Sequence, residues 1–215
     1  MKYYSALSVF KFSWDQVAIA FWNRYPNPYS GHVISEDTVC RRVVGSKLYS
    51  TRLLTKKNNY KLPHWAERFL PASKDICIVE ESVIDRKNKT LTTYTRNIVM
   101  TRVMQVEEKC VYRPSEDNHN WTVCERHAWI TSGIFGMSYA LQTYGYERFK
   151  KSIKKTLKGY EHVLCKMYMP ETVPETPAHV LSVNPETLRQ TAKKAKEIAK
   201  TKAASMVASN LGRTN

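Results

Sequence analysis

The stretch RYPNPYSGHV, Arg24 to Val33, sets an arginine, two prolines, two tyrosines and a histidine directly behind an amphipathic run. Pro26 and Pro28 fix their own φ and push Tyr25 and Asn27 out of the α region, so a preceding helix must stop near Asn23 and a stiff extended segment must follow. A stiff segment holds its neighbours in place. A plain helix terminator with surface tyrosines is the competing reading. A second stretch, KLPHWAERFLP, packs Leu62, Trp65, Phe69 and Leu70 between Pro63 and Pro71. It is too brief for a well-anchored core helix and reads as a lid. Its apolar side would close a pocket in solution and enter a membrane interface when open, with Trp65 at the headgroup boundary. A loop helix plugging the core is the alternative.

Bond-breaking chemistry has little support. Glu80 and Glu81, and Glu107 and Glu108, are adjacent within strand-like runs. Members of such a pair point to opposite faces and do not converge as a general acid and base, and one of each pair should face solvent. His32, His64, His119, His127, His162 and His179 form no His-x-x-His or Glu-x-x-His arrangement, and no nucleophile elbow, Walker loop or dinucleotide loop is present. Cys40, Cys77, Cys110, Cys124 and Cys165 lie far apart with no metal-ligand spacing. They read as free thiols, buried in all but the case of Cys40. No catalytic residue and no metal site is expected.

Charged residues recur on strand faces that should alternate with core positions. In STRLLTKK, Arg52, Leu54 and Lys56 share one face while Leu53, Thr55 and Lys57 share the other. A packed interior tolerates such charges only with partners, because burying a lone guanidinium is costly. A sheet curved around a hollow, with a basic spot for an anionic headgroup and apolar walls for the rest, accommodates both. Solvent-facing charges on ordinary strands are the simpler alternative.

The elements that would position these residues follow from periodicity. Ser13 and Gln16 have capping-box spacing, and Trp14, Val17, Ala18, Phe21 and Trp22 repeat at helical intervals behind them. Strand patterns run over residues 3–10, through TVCRRVV and KLYSTRLLTKK with Gly45-Ser46 as a hairpin turn, and again in DICIVEESVI, KTLTTYTRNIV, VMQVEEKCVY and WTVCERHAWI. That predicts an antiparallel meander of about seven strands. From Gly136 to Met167 the period becomes helical. Phe149, Ile153, Leu157, Tyr160, Leu164 and Met167 form an apolar stripe, and Lys151, Lys154, Lys155 and Lys158 form an opposite basic one. Residues 171–185 read as a proline-rich linker and residues 186–215 as an Ala/Lys-rich helical tail with little to bury.

With 42% hydrophobic residues in 215, the chain reads as one main globular domain, and no signal peptide, presequence or 18-residue apolar run is evident. The formal charge of +15 favours an anionic partner. Only seven of the 34 basic residues lie beyond position 170, so the excess belongs to the folded part. Nucleic acid is one such partner, yet no zinc-finger, homeodomain, RNP or KH pattern aligns, and the basic residues surround the apolar lid instead of forming a stripe. A purely structural interaction module is the third class, beside lipid carriage and nucleic-acid binding.

WDQVAIAFWNRYPNPYSGHV, TRLLTKK followed by LPHWAERFLP, ESVID, TTYTRNI, VEEKCVY and RFKKSIKKTLKGYEHVL together resemble the PRELI family of mitochondrial intermembrane-space lipid transfer proteins. The likeness is greatest to the phosphatidic-acid-transferring branch and covers residues 1–170. It implies an α+β fold in which a seven-stranded curved antiparallel sheet and a long C-terminal helix enclose a lipid cavity, as in phosphatidylinositol-transfer and START-type proteins. It implies a carrier, not an enzyme, with phospholipid as cargo and no cofactor. It also implies a small helical twin Cys-x9-Cys partner and anionic membranes as docking surfaces, without nucleic acid. By matched stretches, Arg24 resembles the headgroup arginine, and His32, Lys57 and Lys61 resemble pocket or entrance residues. Lys150 and Lys154 or Lys155 resemble positions near the headgroup and membrane face, and Leu62, Trp65, Phe69 and Leu70 resemble the lid. Phosphatidic acid over phosphatidylserine is implied by the branch alone.

Overall fold

Helix α1 (Trp14–Trp22) begins where the sequence places its cap. The computed structural model describes residues 1–57 and 75–169, and in it the Gln16 amide donates to the Ser13 hydroxyl at 3.4 Å while the Gln16 side chain accepts from the Ser13 amide at 2.9 Å. Both bonds satisfy amides that the first helical turn leaves open. Trp14, Val17, Ala18 and Phe21 are buried as their spacing predicts, with Trp22 half-buried. The helix stops at Asn23, and the Tyr25–Pro26 bond that follows is cis.

The strands are β1 (Lys2–Phe10), β2 (Val33–Val44), β3 (Lys47–Lys57), β4 (Asp75–Asp85), β5 (Thr90–Asn97), β6 (Gln105–Pro114) and β7 (Thr122–Thr131). They form one seven-stranded sheet in the order β1-β7-β6-β5-β4-β3-β2, antiparallel at every pairing. Gly45, at φ 58°, makes the two-residue turn between β2 and β3. Strand β2 starts earlier than its apolar pattern suggests, at Val33, because backbone pairing with β3 continues through irregularities at Val33/Ser35 and Thr38/Cys40. Strand β6 starts two residues later than expected, since a turn through Met100, at φ 62°, precedes it.

Helix α2 (Ser138–Tyr168) follows the sheet and matches the predicted span within two residues. Ile153, Tyr160 and Leu164 of the apolar stripe are buried and Leu157 is half-buried. Met167 is 38% exposed, and Gly159 and Val163 are buried in its stead. A straight helix drifts around its axis, so a stripe drawn over five turns leaves the contact face at its end. Lys151, Lys154, Lys155 and Lys158 are exposed. Cys110 and Cys124 are buried, Cys77 and Cys165 are half-buried and Cys40 is exposed, all as free thiols.

The interior is not a single apolar core. One cluster gathers Phe10, Trp14, Val17, Phe21, Leu91, Tyr112, Tyr160 and Leu164 where α1 and α2 meet the sheet. A smaller one joins Val103 and Leu141 to Ile134, Met137 and Tyr144. Inner-face positions of β3, β4 and β7 also bury Arg52, Glu80 and Arg126. Glu80 is buried and Glu81 exposed, as strand parity requires. Lys61, Leu62, Trp65, Phe69 and Leu70 lie outside the described residues, as do the linker at 171–185 and the tail at 186–215.

Two substitutions check this frame. Ser13→Ala should lower the unfolding free energy by about 1 kcal/mol in a denaturant titration, the usual loss for an N-cap side chain. An alanine Cβ at Gly159 would meet Asn27 Oδ1 at 2.7 Å and Nδ2 at 2.9 Å. Gly159→Ala, worth about 1 kcal/mol of gain in an open helix position, is therefore expected to destabilise, by about 1 kcal/mol, through the Asn27 hydrogen bonds it displaces.

Candidate anion site

The loop after α1 is fastened to the protein by its own asparagine. Asn27 Nδ2 donates to the Arg24 carbonyl at 2.6 Å, and Asn27 Oδ1 accepts from the Tyr29 amide at 2.9 Å. The Ser30 amide donates to the Asn27 carbonyl at 3.0 Å, and the Val33 amide to the Ser30 carbonyl at 2.8 Å. Gly159 leaves room for Asn27 against α2, and the Tyr29 ring stands edge-on to His162. The tyrosine-proline segment is thus more than a terminator, since it fixes where Arg24 leaves the main chain.

Arg24 is 9% exposed and turns inward. Its Nη2 is ion-paired with Glu80, which in turn pairs with Arg52, and Arg52 reaches Glu36 on the edge strand. The Arg52 Nε–H donates to Glu80 Oε1 at 3.0 Å. Arg52 and Glu80 stand directly opposite in the β3–β4 ladder, so the central link is a cross-strand pair. The Phe21 ring has Arg24 at 4.4 Å and Arg52 at 4.5 Å from its centroid, within cation–π range. Burial pushes the Glu80 carboxyl up, but the Arg24 and Arg52 guanidiniums outweigh it and hold the group below the usual carboxylate range. Burial would lower Arg24 in the same way, and the Glu80 carboxylate overcomes that and raises it. Both groups are charged, and the Arg24 Nε–H has no acceptor among the described residues.

A second feature lies toward the β2–β3 end. The His32 carbonyl accepts from the Lys57 amide at 2.8 Å, tying two expected site residues together through backbone. Burial, followed by the charges of Lys56, Lys155 and Arg148, holds the half-buried His32 imidazole below its usual range. Lys56 and Arg148 thus join His32 and Lys155 in a basic rim, whereas Lys57, on the opposite face of β3 from Lys56, reaches His32 through its backbone. Lys150 belongs elsewhere. It pairs with Glu147 at 3.5 Å, lies over the Tyr146 ring at 5.4 Å, and its charge acts on Tyr4. Lys154 is exposed and joins neither group among the described residues. Sequence reading did not identify the counter-ions: Glu80 for Arg24, and Glu108 for a further buried arginine, Arg126. The signal for Arg126 was its alternation with Cys124 and Ala128, two small inward-facing neighbours in β7.

The arrangement can bind an anion and does not assemble a nucleophile with a base. A guanidinium offers donors in a planar fork that matches phosphate or carboxylate oxygens, and Glu80 already occupies one such position.

The sequence pattern of the PRELI-like family matches residues 15–170. PRELI domain-containing protein 1, mitochondrial, of Bos taurus is 49% identical over 203 residues, covering 93% of this chain and 86% of the relative. The protein of that name from Homo sapiens is 47% identical over 203 residues, with the same coverage of 93% and 86%. Protein UPS1, mitochondrial, of Saccharomyces cerevisiae is 36% identical over 161 residues, or 74% of this chain and 90% of the relative. Among solved structures, TTHA0849 from Thermus thermophilus covers 78% of this chain and 99% of its own with a TM-score of 0.53 at 14% identity, a likeness of fold alone. The chain belongs to the PRELI-like family of mitochondrial lipid-transfer proteins.

Proposed function

We propose that this protein carries phosphatidic acid through the mitochondrial intermembrane space from the outer to the inner membrane, where the lipid supports cardiolipin synthesis, and that Arg24 takes the headgroup phosphate. The observation that carries the proposal is Arg24 itself, a charged arginine 9% exposed on a stiffened loop, with an Nε–H that has no acceptor among the described residues. A lone interior guanidinium is costly. One balanced by a displaceable carboxylate is ready for exchange, with Glu80 kept by Arg52 when a phosphate takes its place on Arg24.

His32, Lys57, Lys61 and Lys155 serve as pocket or entrance residues that attract anionic headgroups from a negatively charged surface. Lys150 and Lys154 serve the membrane-facing side of α2. Leu62, Trp65, Phe69 and Leu70 form the lid that opens at the interface. The acyl chains keep an apolar environment throughout, since exposing them to water would cost about 0.8 kcal/mol per CH₂. Delivery therefore depends on a gate and a headgroup exchange, with no covalent step. A small helical twin Cys-x9-Cys protein is the proposed partner, residues 1–170 are the lipid-binding domain, and residues 171–185 link it to the tail at 186–215.

Labelled phosphatidic acid moving between donor and acceptor liposomes tests this reading. Arg24→Ala should keep the fold by circular dichroism and lose about tenfold or more in transfer, the equivalent of one charge-assisted hydrogen-bonded contact. A folded Arg24→Ala protein that transfers at the full rate would overturn the headgroup role. Removing residues 171–215 should leave transfer near the full chain's rate, and a stably folded truncation unable to extract lipid would assign the tail a necessary part.

A further inference from the structure

A groove opens where the N-terminal end of α1 meets the C-terminal end of α2. Its volume is about 380 Å³, and Lys11, Phe12, Trp121, Tyr168 and Met169 are among its walls. Other contacts hold those walls in place. The Thr122 hydroxyl donates to the Phe12 carbonyl at 2.9 Å, the Trp121 amide to the Asn118 carbonyl at 2.8 Å, and the Ser115 amide to the Trp121 carbonyl at 2.9 Å. Phe12 belongs to the main apolar cluster, and Tyr168 packs against it. Lys11 Nζ lies 5.6 Å from the centroid of the Trp121 ring, and among the described residues it has no carboxylate in ion-pair contact. The groove is therefore preformed and aromatic, and it carries one cation.

The chain itself leads out of this groove. Met169, a wall residue 47% exposed, ends α2 with the non-helical values φ −126° and ψ 83°. Pro170 requires that, since its ring disfavours helical values in the residue before it. The sequence continues as PETVPETPAH, with prolines at 170, 174 and 177. That spacing predicts polyproline II, which has three residues per turn and rises about 3.1 Å per residue. Three per turn sets Pro170, Val173 and Thr176 on one side and Glu171, Pro174 and Pro177 on the next. Four residues advance about 12 Å, so a segment that begins at the groove needs no slack to lie along it. Aromatic-lined grooves take such segments at low entropic cost, because the conformation exists before binding.

We propose that residues 170–177 form a strap that docks in this groove, laying Pro170 and Val173 against Phe12 and Trp121 and bringing Glu171 to Lys11. The occupant is this chain's own segment because the groove's last wall residue, Met169, is the residue to which the segment is joined. Docking is then intramolecular, at an effective concentration that a separate molecule does not match. The charges agree as well. Glu171 and Glu175 are the charged residues of the strap, both acidic, and Lys11 faces them from the groove wall. The strap clasps the start of α1 to the end of α2, the two helices that build the main apolar cluster with the sheet. It is independent of the cargo and of the role of Arg24.

The test uses the full chain. In isotope-edited NOE spectra the Trp121 indole protons should give cross-peaks to the Val173 methyls. A sample mixed from labelled and unlabelled chains identifies the occupant: cross-peaks within one chain support the strap, and cross-peaks between chains would give the groove to a second copy and overturn it. Val173→Asp changes the strap alone and leaves every wall residue in place. It should shift the Trp121 indole resonance and lower Tm by about 2–4 °C, the shift of one ordinary contact in a domain of this size. Glu171→Lys, which sets like charge against Lys11, should move both readouts in the same direction. An indole resonance that neither variant moves, with no cross-peak to Val173, would sink the proposal. So would an indole that responds to phosphatidylglycerol vesicles and to neither variant, since the groove would then belong to a membrane surface. Liposome transfer by Val173→Asp at the full rate upholds the strap's independence of the cargo, and a tenfold loss in a folded variant would overturn it.

Discussion

The ion pair of Arg24 with Glu80, extended through Arg52 to Glu36, is the constraint around which the interior is arranged. A buried pair of this kind seldom stabilises a fold relative to apolar residues of like volume, because desolvation offsets most of the attraction. Removing a single member leaves a charge without its counterpart at about 3–5 kcal/mol. The array is therefore rigid in composition and poor as a source of stability. Its presence beside a well-made apolar cluster, with Phe21 facing two guanidiniums, is accounted for by the headgroup role proposed for Arg24.

The rest of the domain keeps that array in register. Cross-strand pairing sets Arg52 opposite Glu80, and the capping box starts α1 at a point from which Phe21 and Trp22 can lie against the guanidiniums. Asn27 then ties the arginine's own carbonyl into a loop that only a glycine on α2 leaves room for. Tyr160 of α2 closes the arrangement by donating to the Val17 carbonyl at 2.6 Å. The Arg52–Glu80 pairing, the Phe21 and Trp22 ring contacts, the seat of Asn27 against Gly159 and the Tyr160 hydrogen bond each join separate elements, so the position of one side chain depends on β3, β4 and both helices.

That dependence decides what could be read in advance. Ser13 with Gln16, Gly45 with Ser46, and the opposite facing of Glu80 and Glu81 are local rules, legible in a few residues and present in the structure. The seven strands and the long helix were equally accessible, because periodicity is a local property. The identity of the counter-ion for Arg24 was not, since Glu80 lies 56 positions away and meets it only after strand register is fixed. Arg126 escaped notice for a related reason. In WTVCERHAWI it looks like one charge in an ordinary strand, and its inward orientation acquires meaning only beside Glu108. The twist of α2 moved Met167 off the contact face for want of the same long-range information.

Interior and rim differ in how their charges are arranged. The buried guanidiniums of Arg24, Arg52 and Arg126 each have a carboxylate partner, whereas His32 sits among Lys56, Lys155 and Arg148, cations that together with burial keep its imidazole below the usual range. In the proposed cycle an incoming headgroup therefore meets clustered positive charge first and carboxylate-paired charge afterwards. The rim supplies long-range attraction, which salt would screen over roughly 8–10 Å. In that cycle the interior supplies directional donors, the Arg24 Nε–H directly and the Nη2 by displacing a carboxylate. Attraction outside and exchange inside give the proposed cycle an order of events in which binding deep in the protein adds little net charge separation, so the reverse exchange can release the cargo.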